Sequence, residues 1–236
     1  MSTVRIIIIG SEILSGKFVD ENTPWLIQKC KQHHLEITGV CIIPDDIETI
    51  SRQIKKDAQE ATYVITTGGV GPTHDDMTML AVARAFGTEL VESPELSQLI
   101  RKYIGPSESA LKMALVPRDY ILWDCGDMMF PQVVVHNVFI FPGVPSYLQK
   151  KFSVVVKKWT GRKKTNEQVP LLTYESPIAK GLEEIQNSYP EVNIGSYPRL
   201  EEIPHHTIIT IDGYEESVVQ KVKSIIEKRF ATLIMK

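Results

Sequence analysis

A glycine-rich stretch between an apolar run and an amphipathic run constrains the fold of this chain most strongly. Residues 63–65 are apolar and rich in β-branched side chains, which predicts a β-strand. Residues 77–86 are rich in helix formers and are followed by glycine, which predicts a helix that ends there. The three glycines between them leave backbone N–H groups uncovered by side chains. The pattern predicts a strand, an open loop and a helix start.

The chemistry of this loop, residues 66–76, is that of an anion site with carboxylates beside it. Exposed N–H groups and the positive end of a helix suit phosphate, and Pro72 stiffens the loop. Asp75 and Asp76 then follow. Because carboxylates repel phosphate, their presence favours a bridging divalent cation. In the alternative interpretation, Asp75 or Asp76 is a helix N-cap and the glycines form a tight turn.

Composition narrows the classes of function. The 236 residues suggest one large domain, or one with a small companion. A net charge of −3 gives no electrostatic reason to expect nucleic acid or an anionic membrane as partner. No apolar run has the length of a membrane span, and residues 1–10 do not have the pattern of a signal peptide. The three cysteines have no disulfide or zinc spacing, so we expect a cytoplasmic protein.

Residues 67–78, Thr-Gly-Gly-Val-Gly-Pro-Thr-His-Asp-Asp-Met-Thr, resemble the signature loop of the molybdopterin-binding domains of the MogA and MoaB type. The string is most similar to the N-terminal domain of CinA proteins and to the corresponding region of eukaryotic FAD synthases. The resemblance implies that the following loop residues bind phosphate or nucleotide: Thr67, Gly68, Gly69, Gly71, Pro72 and Thr73.

Two upstream segments also resemble these families. Residues 10–16 are similar to a Gly-Asp-Glu-Ile-Leu-x-Gly segment, but Ser11 stands where the families carry Asp. If that Asp is a metal ligand, the chain lacks it and retains Glu12. Asn22 matches an Asp-x-Asn element, which implies nucleotide binding, whereas the alternative is that Asn22 is an N-cap.

Asp45 follows a predicted strand, residues 35–43, and opens a predicted helix. Together with Glu48 it has the form of a capping box, which is a sufficient structural role. The Pro-Asp-Asp segment also resembles the families, and the resemblance implies a part in the chemistry for Asp45. Helix starts gather at the carboxyl edge of a doubly wound sheet, so Asp45 is expected on the same side as Asp75 and Asp76.

A second turn follows a predicted hairpin at residues 133–141. Residues 141–146, Phe-Pro-Gly-Val-Pro-Ser, match a family motif at a strand-to-helix turn. The match implies that Gly143 and Pro145 face the ligand, and the alternative is a plain turn.

The rest of the chain predicts a separate small domain. Residues 160–166 are polar and basic and form the best linker. Strands are expected at 169–174, 192–196 and 207–211, and Ser176 with Pro177 is expected to cap and open a helix. Residues 192–198 resemble an element of FAD synthases, which favours these over CinA. His205 and His206, adjacent in a predicted strand, point to opposite faces, so a role in a loop or at a sheet edge is expected in preference to joint metal binding.

We therefore expect a three-layer α/β domain with a mostly parallel sheet, residues 1–160, followed by a small α+β domain, residues 167–236. The resemblance implies a pyrophosphatase that acts on a small nucleotide such as FAD or ADP-ribose. Asp45, Asp75 and Asp76 are the expected catalytic residues. Asp76, Asp45 and Glu12 are the expected ligands of Mg²⁺, Mn²⁺ or Co²⁺.

Two other functions remain open from the sequence. One is molybdopterin binding or adenylylation, for which the same loop would serve. The other is a non-catalytic nucleotide-binding module that regulates FAD metabolism. The resemblance also implies a homo-oligomer, either a dimer or a trimer. The deamidase domain of CinA and the adenylyltransferase domain of FAD synthases are expected to lie outside this chain.

Overall fold

The computed structural model describes residues 2–201 and 206–234. The chain divides into two units, Met1–Gly161 and Arg162–Lys236. Among the helices of these described residues, none is long and apolar enough to cross a membrane.

A six-stranded sheet forms the centre of the first unit. Its strands run in the order β2-β1-β3-β8-β7-β6; the first four are parallel to one another, and β7 is antiparallel to both of its neighbours, β8 and β6. The apolar side chains of β1 are buried on both faces, as expected for a central parallel strand. The strands of this unit, including the separate pair β4 and β5, are β1 (Thr3–Ile9), β2 (Glu36–Ile43), β3 (Tyr63–Thr67), β4 (Leu90–Glu92), β5 (Leu115–Pro117), β6 (Tyr120–Trp123), β7 (Gln132–Val135) and β8 (Val138–Phe141).

Helices cover both faces of this sheet. The helices are α1 (Ser11–Leu14), α2 (Asn22–Gln32), α3 (Ile47–Glu60), α4 (Thr78–Phe86), α5 (Pro94–Tyr103), α6 (Glu108–Leu111) and α7 (Pro145–Val155). Apolar side chains of α3, α4 and α5 form the core on one face, and those of α2 and α7 form the core on the other. The predicted three-layer α/β fold with a mostly parallel sheet is confirmed.

The second unit is a small α+β structure. Its strands β9 (Thr165–Leu171), β10 (Val192–Arg199) and β11 (His206–Gly213) form an antiparallel sheet in the order β10-β11-β9. The helices α8 (Ala179–Ser188) and α9 (Glu216–Arg229) supply the rest of a core of their own. The predicted α+β class is confirmed for this unit.

Several local predictions in the second unit are wrong. β9 begins inside the predicted linker and ends three residues before its predicted end at 174, because Thr165 and Leu171 pair with the two ends of β11. Ser176 and Pro177 do not cap α8. They lie in a turn in which the carbonyl oxygen of Glu175 accepts hydrogen bonds from the following helix start. His205 lies outside the described residues.

Candidate functional site

Three strand-to-helix turns meet at one edge of the sheet. β1, β3 and β8 are parallel, so their carboxyl ends lie on the same side. Backbone hydrogen bonds tie the turns to neighbouring strands. The N–H of Gly10 donates to Ile43 O at 3.1 Å, and that of Gly68 donates to Phe141 O at 3.2 Å. The segments that the sequence singled out are therefore assembled at one edge.

Glycine is required at the start of the loop after β3. Gly68 and Gly69 have φ values of 105° and 63°, in the region that side chains rarely adopt. A Cβ on Gly68 would lie 2.0 Å from Ile9 O, and one on Gly69 would lie 2.5 Å from Thr78 Oγ1. The loop backbone thus passes directly over the end of β1.

Thr78 fixes the start of α4 to this loop. It is fully buried, its hydroxyl donates to Gly68 O at 2.8 Å, and its N–H donates to Gly69 O at 3.0 Å. No side chain caps α4, whose N-cap position is Met77. The interpretation of Asp75 or Asp76 as an N-cap is therefore wrong. Thr78 belongs to the motif, but its role at the start of α4 was not predicted from the sequence.

Asp76 holds the loop in shape. Its carboxylate accepts hydrogen bonds from the N–H of Gly71 at 2.6 Å, the N–H of Thr73 at 2.7 Å and the hydroxyl of Thr73 at 2.6 Å. A Cβ on Gly71 would lie 2.8 Å from this carboxylate. Both Asp76 oxygens are thus engaged by the loop itself, and Pro72 lies exposed between the two residues that they bind.

Asp75, by contrast, lies on the surface. It is exposed, with His74 Nδ1 4.0 Å from its carboxylate. Hydrogen bonding with Thr73 lowers the pKa of Asp75 from its ordinary value, so the group is ionised at neutral pH.

Asp45 lies in the turn between β2 and α3, and hydrogen bonds to Ser11, in the turn after β1, hold it beside the glycine loop. Its Oδ2 accepts a hydrogen bond from Ser11 N at 2.7 Å, and its own N–H donates to Ser11 Oγ at 3.2 Å. The other oxygen, Oδ1, has no hydrogen-bond donor among the described residues. It lies 3.6 Å from the point that a Cβ on Gly69 would occupy. The structure therefore brings a carboxylate with one unused oxygen next to the glycine loop.

The capping box proposed for Asp45 is wrong. Asp46 is the N-cap of α3, and its side chain accepts the N–H of Thr49 at 2.8 Å. Asp46 has extended backbone angles, as N-cap residues do, while Asp45 turns its carboxylate towards Ser11.

Asn22 joins the turns after β3 and β8. Its Nδ2 donates to Gly143 O at 2.7 Å and to Thr67 Oγ1 at 3.3 Å. Thr67 Oγ1 in turn donates to Pro142 O at 2.9 Å. The N-cap alternative for Asn22 is wrong, because the carboxylate of Asp20 accepts the N–H groups at the start of α2. Asn22 Oδ1 is buried and has no hydrogen-bond partner among the described residues.

The main groups available to bind a ligand at this edge of the sheet are backbone N–H groups that have no hydrogen-bond acceptor among the described residues. α7 begins at Pro145 with no side-chain cap, and Gly143 lies close enough to Gly68 that an added Cβ would be 3.3 Å from Gly68 Cα. Within residues 2–201 and 206–234, the following N–H groups have no hydrogen-bond acceptor: Gly69, Val70, Gly143, Val144 and Ser146. Such donors at adjoining turns and at a helix start suit a phosphate group.

The carboxylates do not form a metal cage by themselves. Across the described ranges, no three Asp, Glu, His or Cys side chains lie close enough to hold a metal ion. Asp76 has no unused oxygen, whereas Asp45 and the exposed Glu12 each retain one or more. This arrangement fits a cation that takes one or two carboxylates and completes its shell with substrate oxygens.

Comparisons with known proteins cover both units. Residues 5–162 match the family model described as "Probable molybdopterin binding domain", and residues 165–235 match "FAD synthase, middle domain". A protein of Archaeoglobus fulgidus is 32% identical over 218 residues, which are 92% of this chain and 93% of that protein. A "Probable FAD synthase" of Caenorhabditis elegans is 28% identical over 260 residues, which are 97% of this chain and 50% of that protein.

Among solved structures, that of the protein CinA from Thermoplasma acidophilum is 26% identical, with a TM-score of 0.61. The alignment covers 66% of this chain and 96% of the CinA chain. The chain spans about half the length of the FAD synthases that it matches. The resemblance drawn from the sequence motifs is thus confirmed. Because the first family model covers well over half of this chain, the chain belongs to the family described as "Probable molybdopterin binding domain", and its residues 165–235 match the FAD synthase middle domain.

Proposed function

We propose that the first unit binds a dinucleotide such as FAD or ADP-ribose and hydrolyses its diphosphate. With FAD and one water the products are FMN and AMP, and with ADP-ribose they are AMP and ribose phosphate. Relatives named FAD synthase and CinA-like protein support a nucleotide-processing role. The middle domain shared with FAD synthases favours FAD as the substrate.

The observation that carries this proposal is the pair of turns with free N–H groups. Gly69 and Val70 belong to one turn, and Gly143 and Val144 belong to the other. Asn22 joins the turns, so two sets of donors are held side by side for the two phosphates of one diphosphate. Fixed backbone donors also stabilise the negative charge that develops on phosphoryl oxygens as water attacks.

The side chains divide the remaining tasks. Asp45 Oδ1 is the acceptor for the proton of the attacking water, and Asp76 is a positioning residue that keeps the loop open. Asp75 is ionised and accessible at the loop tip. When bound, a divalent cation such as Mg²⁺, Mn²⁺ or Co²⁺ would be held by Glu12 and would supply positive charge that offsets the charge of the diphosphate, which leaves Asp45 Oδ1 free to accept the proton.

Incubation of the pure protein with FAD or ADP-ribose, with and without divalent cations, tests this function. Chromatography with mass detection should show FMN and AMP from FAD, with each product equal in amount to the substrate lost. Absence of products from both substrates with every cation would overturn the hydrolase. Binding without products would identify a nucleotide-binding module instead. Light scattering on the same sample tests the proposed dimer or trimer.

Molybdopterin handling is the second candidate, and the family model favours it. The same free N–H groups can hold the single phosphate of molybdopterin. Competition decides between the candidates, because FAD should displace a bound pterin phosphate poorly if the site is built for the pterin.

A further inference from the structure

An apolar pocket opens beside the glycine loop in the first unit. It encloses about 480 Å³, which is within the range of small-molecule sites. Val70 of the glycine loop and Pro142 of the second turn line it, and so do Ile100 of α5 and Phe130. A substrate whose diphosphate lies on the two turns therefore has this pocket next to it. The mechanism described above does not use the pocket.

Lys151 is the polar group that stands out in this lining. Its side chain is largely buried, and its Nζ donates to Pro131 O at 2.7 Å. No carboxylate in the described part of the chain pairs with it. Burial lowers the pKa of Lys151. Because an ammonium group in apolar surroundings is costly without an acceptor, its two remaining N–H groups suit the acceptors of a ligand.

We propose that this pocket binds the isoalloxazine ring of a flavin and that Lys151 donates a hydrogen bond to the ring's carbonyl edge. The inference rests on the proposed function and names its substrate as FAD rather than ADP-ribose. The diphosphate occupies the glycine loop, and the ring extends past Val70 and Pro142 into the pocket.

The composition of the lining favours a flavin over a purine. An isoalloxazine ring is polar along one edge and apolar at its dimethylbenzene end, whereas adenine carries ring nitrogens or an amino group on most of its edges. The lining offers the partly buried ammonium group of Lys151, with the exposed tyrosines Tyr103 and Tyr147 at its rim, among methionine, aromatic and aliphatic side chains. Adenine has polar atoms on most of its edges, so several of them would face apolar side chains there, which costs free energy. Methionine and aromatic side chains also pack well against a large flat ring.

Riboflavin is the sharpest probe, because it carries the ring and no phosphate. Titration of riboflavin with the full chain should quench flavin fluorescence in a saturable way, and AMP should not reverse the quenching. Lys151→Met should weaken riboflavin binding by about tenfold without lowering the thermal midpoint. The matched control is Lys150→Met, in which the neighbouring exposed lysine outside the pocket is changed. This control should bind riboflavin as the unmodified protein does.

A second pair of variants tests the rim of the pocket. Ile104 lines the pocket and is 53% exposed, while Ile121 is 51% exposed and lies outside it. Ile104→Glu removes an apolar contact and should weaken riboflavin binding by about tenfold. Ile121→Glu should leave it unchanged. Equal effects of the two rim variants, or riboflavin binding that is insensitive to Lys151→Met, would overturn the pocket assignment. Displacement of riboflavin by equimolar 6-hydroxymethylpterin would also overturn it.

These outcomes separate the pocket from the proposed hydrolysis. If FAD and ADP-ribose are hydrolysed at equal rates by the unmodified protein and by Lys151→Met, the function stands and the flavin pocket is wrong. If riboflavin binds and Lys151→Met weakens it, while no dinucleotide is hydrolysed, the pocket stands and the hydrolase is wrong.

Discussion

Asp45 and Asp76 each lie just before a helix, but their hydrogen bonds differ. Both carboxylate oxygens of Asp76 accept hydrogen bonds from Gly71 and Thr73, so this carboxylate stabilises the loop. In Asp45, Oδ2 accepts a hydrogen bond from Ser11 N, whereas Oδ1 lies beside Gly69 without a hydrogen-bond donor among the described residues. At the scale of single residues, the structure therefore separates a residue that shapes the site from one that can contact the substrate.

Replacing Asp45 should abolish turnover, whereas replacing its neighbour should not. Asp45→Ala removes the acceptor beside the diphosphate, and we expect FAD hydrolysis to fall by at least about a hundredfold. Asp46→Ala removes the N-cap of α3 and should lower the thermal midpoint with near-normal turnover. Rates and melting curves of both variants make the comparison. A normal rate in Asp45→Ala would remove Asp45 from the chemistry.

Asp76→Ala should also lower turnover by at least about a hundredfold while the fold persists, but by a different route. Loss of its carboxylate releases the N–H groups of Gly71 and Thr73. Amide hydrogen exchange should then be faster at these two residues than in the unmodified protein, while exchange at other amides is unchanged. If turnover falls and exchange at the loop is unaltered, Asp76 acts on the substrate directly and is not only a positioning residue.

Metal dependence is tested best at Ser11. Carboxylates near a diphosphate repel it unless a cation intervenes, so excess EDTA should stop hydrolysis, and Mg²⁺, Mn²⁺ or Co²⁺ should restore it. Ser11, at the position where the sequence resemblance implies an Asp, is hydrogen-bonded to Asp45. Ser11→Asp adds a carboxylate there, so its activity should saturate at a lower metal concentration. Full turnover in EDTA would contradict the metal mechanism. An unchanged saturation curve would contradict only the ligand role of position 11.

At the scale of elements, the loop after β3 depends on its first glycine for two separate reasons. Gly68→Ala combines a φ of 105° with a Cβ only 2.0 Å from Ile9 O, so the loop or β1 must move. Gly126→Ala is the matched control, since it has a φ of 64° but no atom within 4 Å of its Cβ. We expect about 1–2 kcal/mol of destabilisation in the control and clearly more in Gly68→Ala, measured by urea unfolding. Equal losses would show that the contact with Ile9 relaxes freely.

Periodic segments were predictable from the sequence, and their ends were less so. The apolar run of β3, the run of helix formers in α4 and the hairpin of β7 and β8 each carry a local signal, and all three predictions are confirmed. The extent of β9 is different. Its first residue, Thr165, is polar and becomes part of a strand only because it pairs with Gly213 of β11. A pairing between residues this far apart leaves no periodic trace in the sequence.

In the candidate site, too, some features were predictable from the sequence and others were not. The meeting of the three turns follows from the parallel direction of β1, β3 and β8. The sequence predicts a mostly parallel sheet, but it does not predict which strands are neighbours. The hydrogen bonds within the site were not predictable. Asn22 reaches Gly143, which lies 121 residues further along the chain. Asp45 binds Ser11 instead of capping its own helix, although its local sequence suits a cap. Such choices depend on tertiary distances that local patterns do not encode.

At the scale of the whole molecule, each unit has a core of its own. Two apolar clusters enclose the sheet of the first unit, and a third cluster fills the second unit. The glycine loop, the second turn, Asp45 and the pocket around Lys151 all belong to the first unit. Domains with their own cores fold independently as a rule, so the proposed site should not need the second unit.

We therefore predict that residues 1–162, produced alone, fold cooperatively and bind FAD with an affinity within about threefold of that of the full chain. Melting followed by circular dichroism tests the fold, and calorimetric titration with FAD tests the site. The control is Asp45→Ala in the shortened chain, which should bind FAD without hydrolysing it. If the shortened chain melts cooperatively and no longer binds FAD, the second unit contributes to the site. Its Gly-Ser-Tyr-Pro segment at residues 195–198 would then be the first place to mutate.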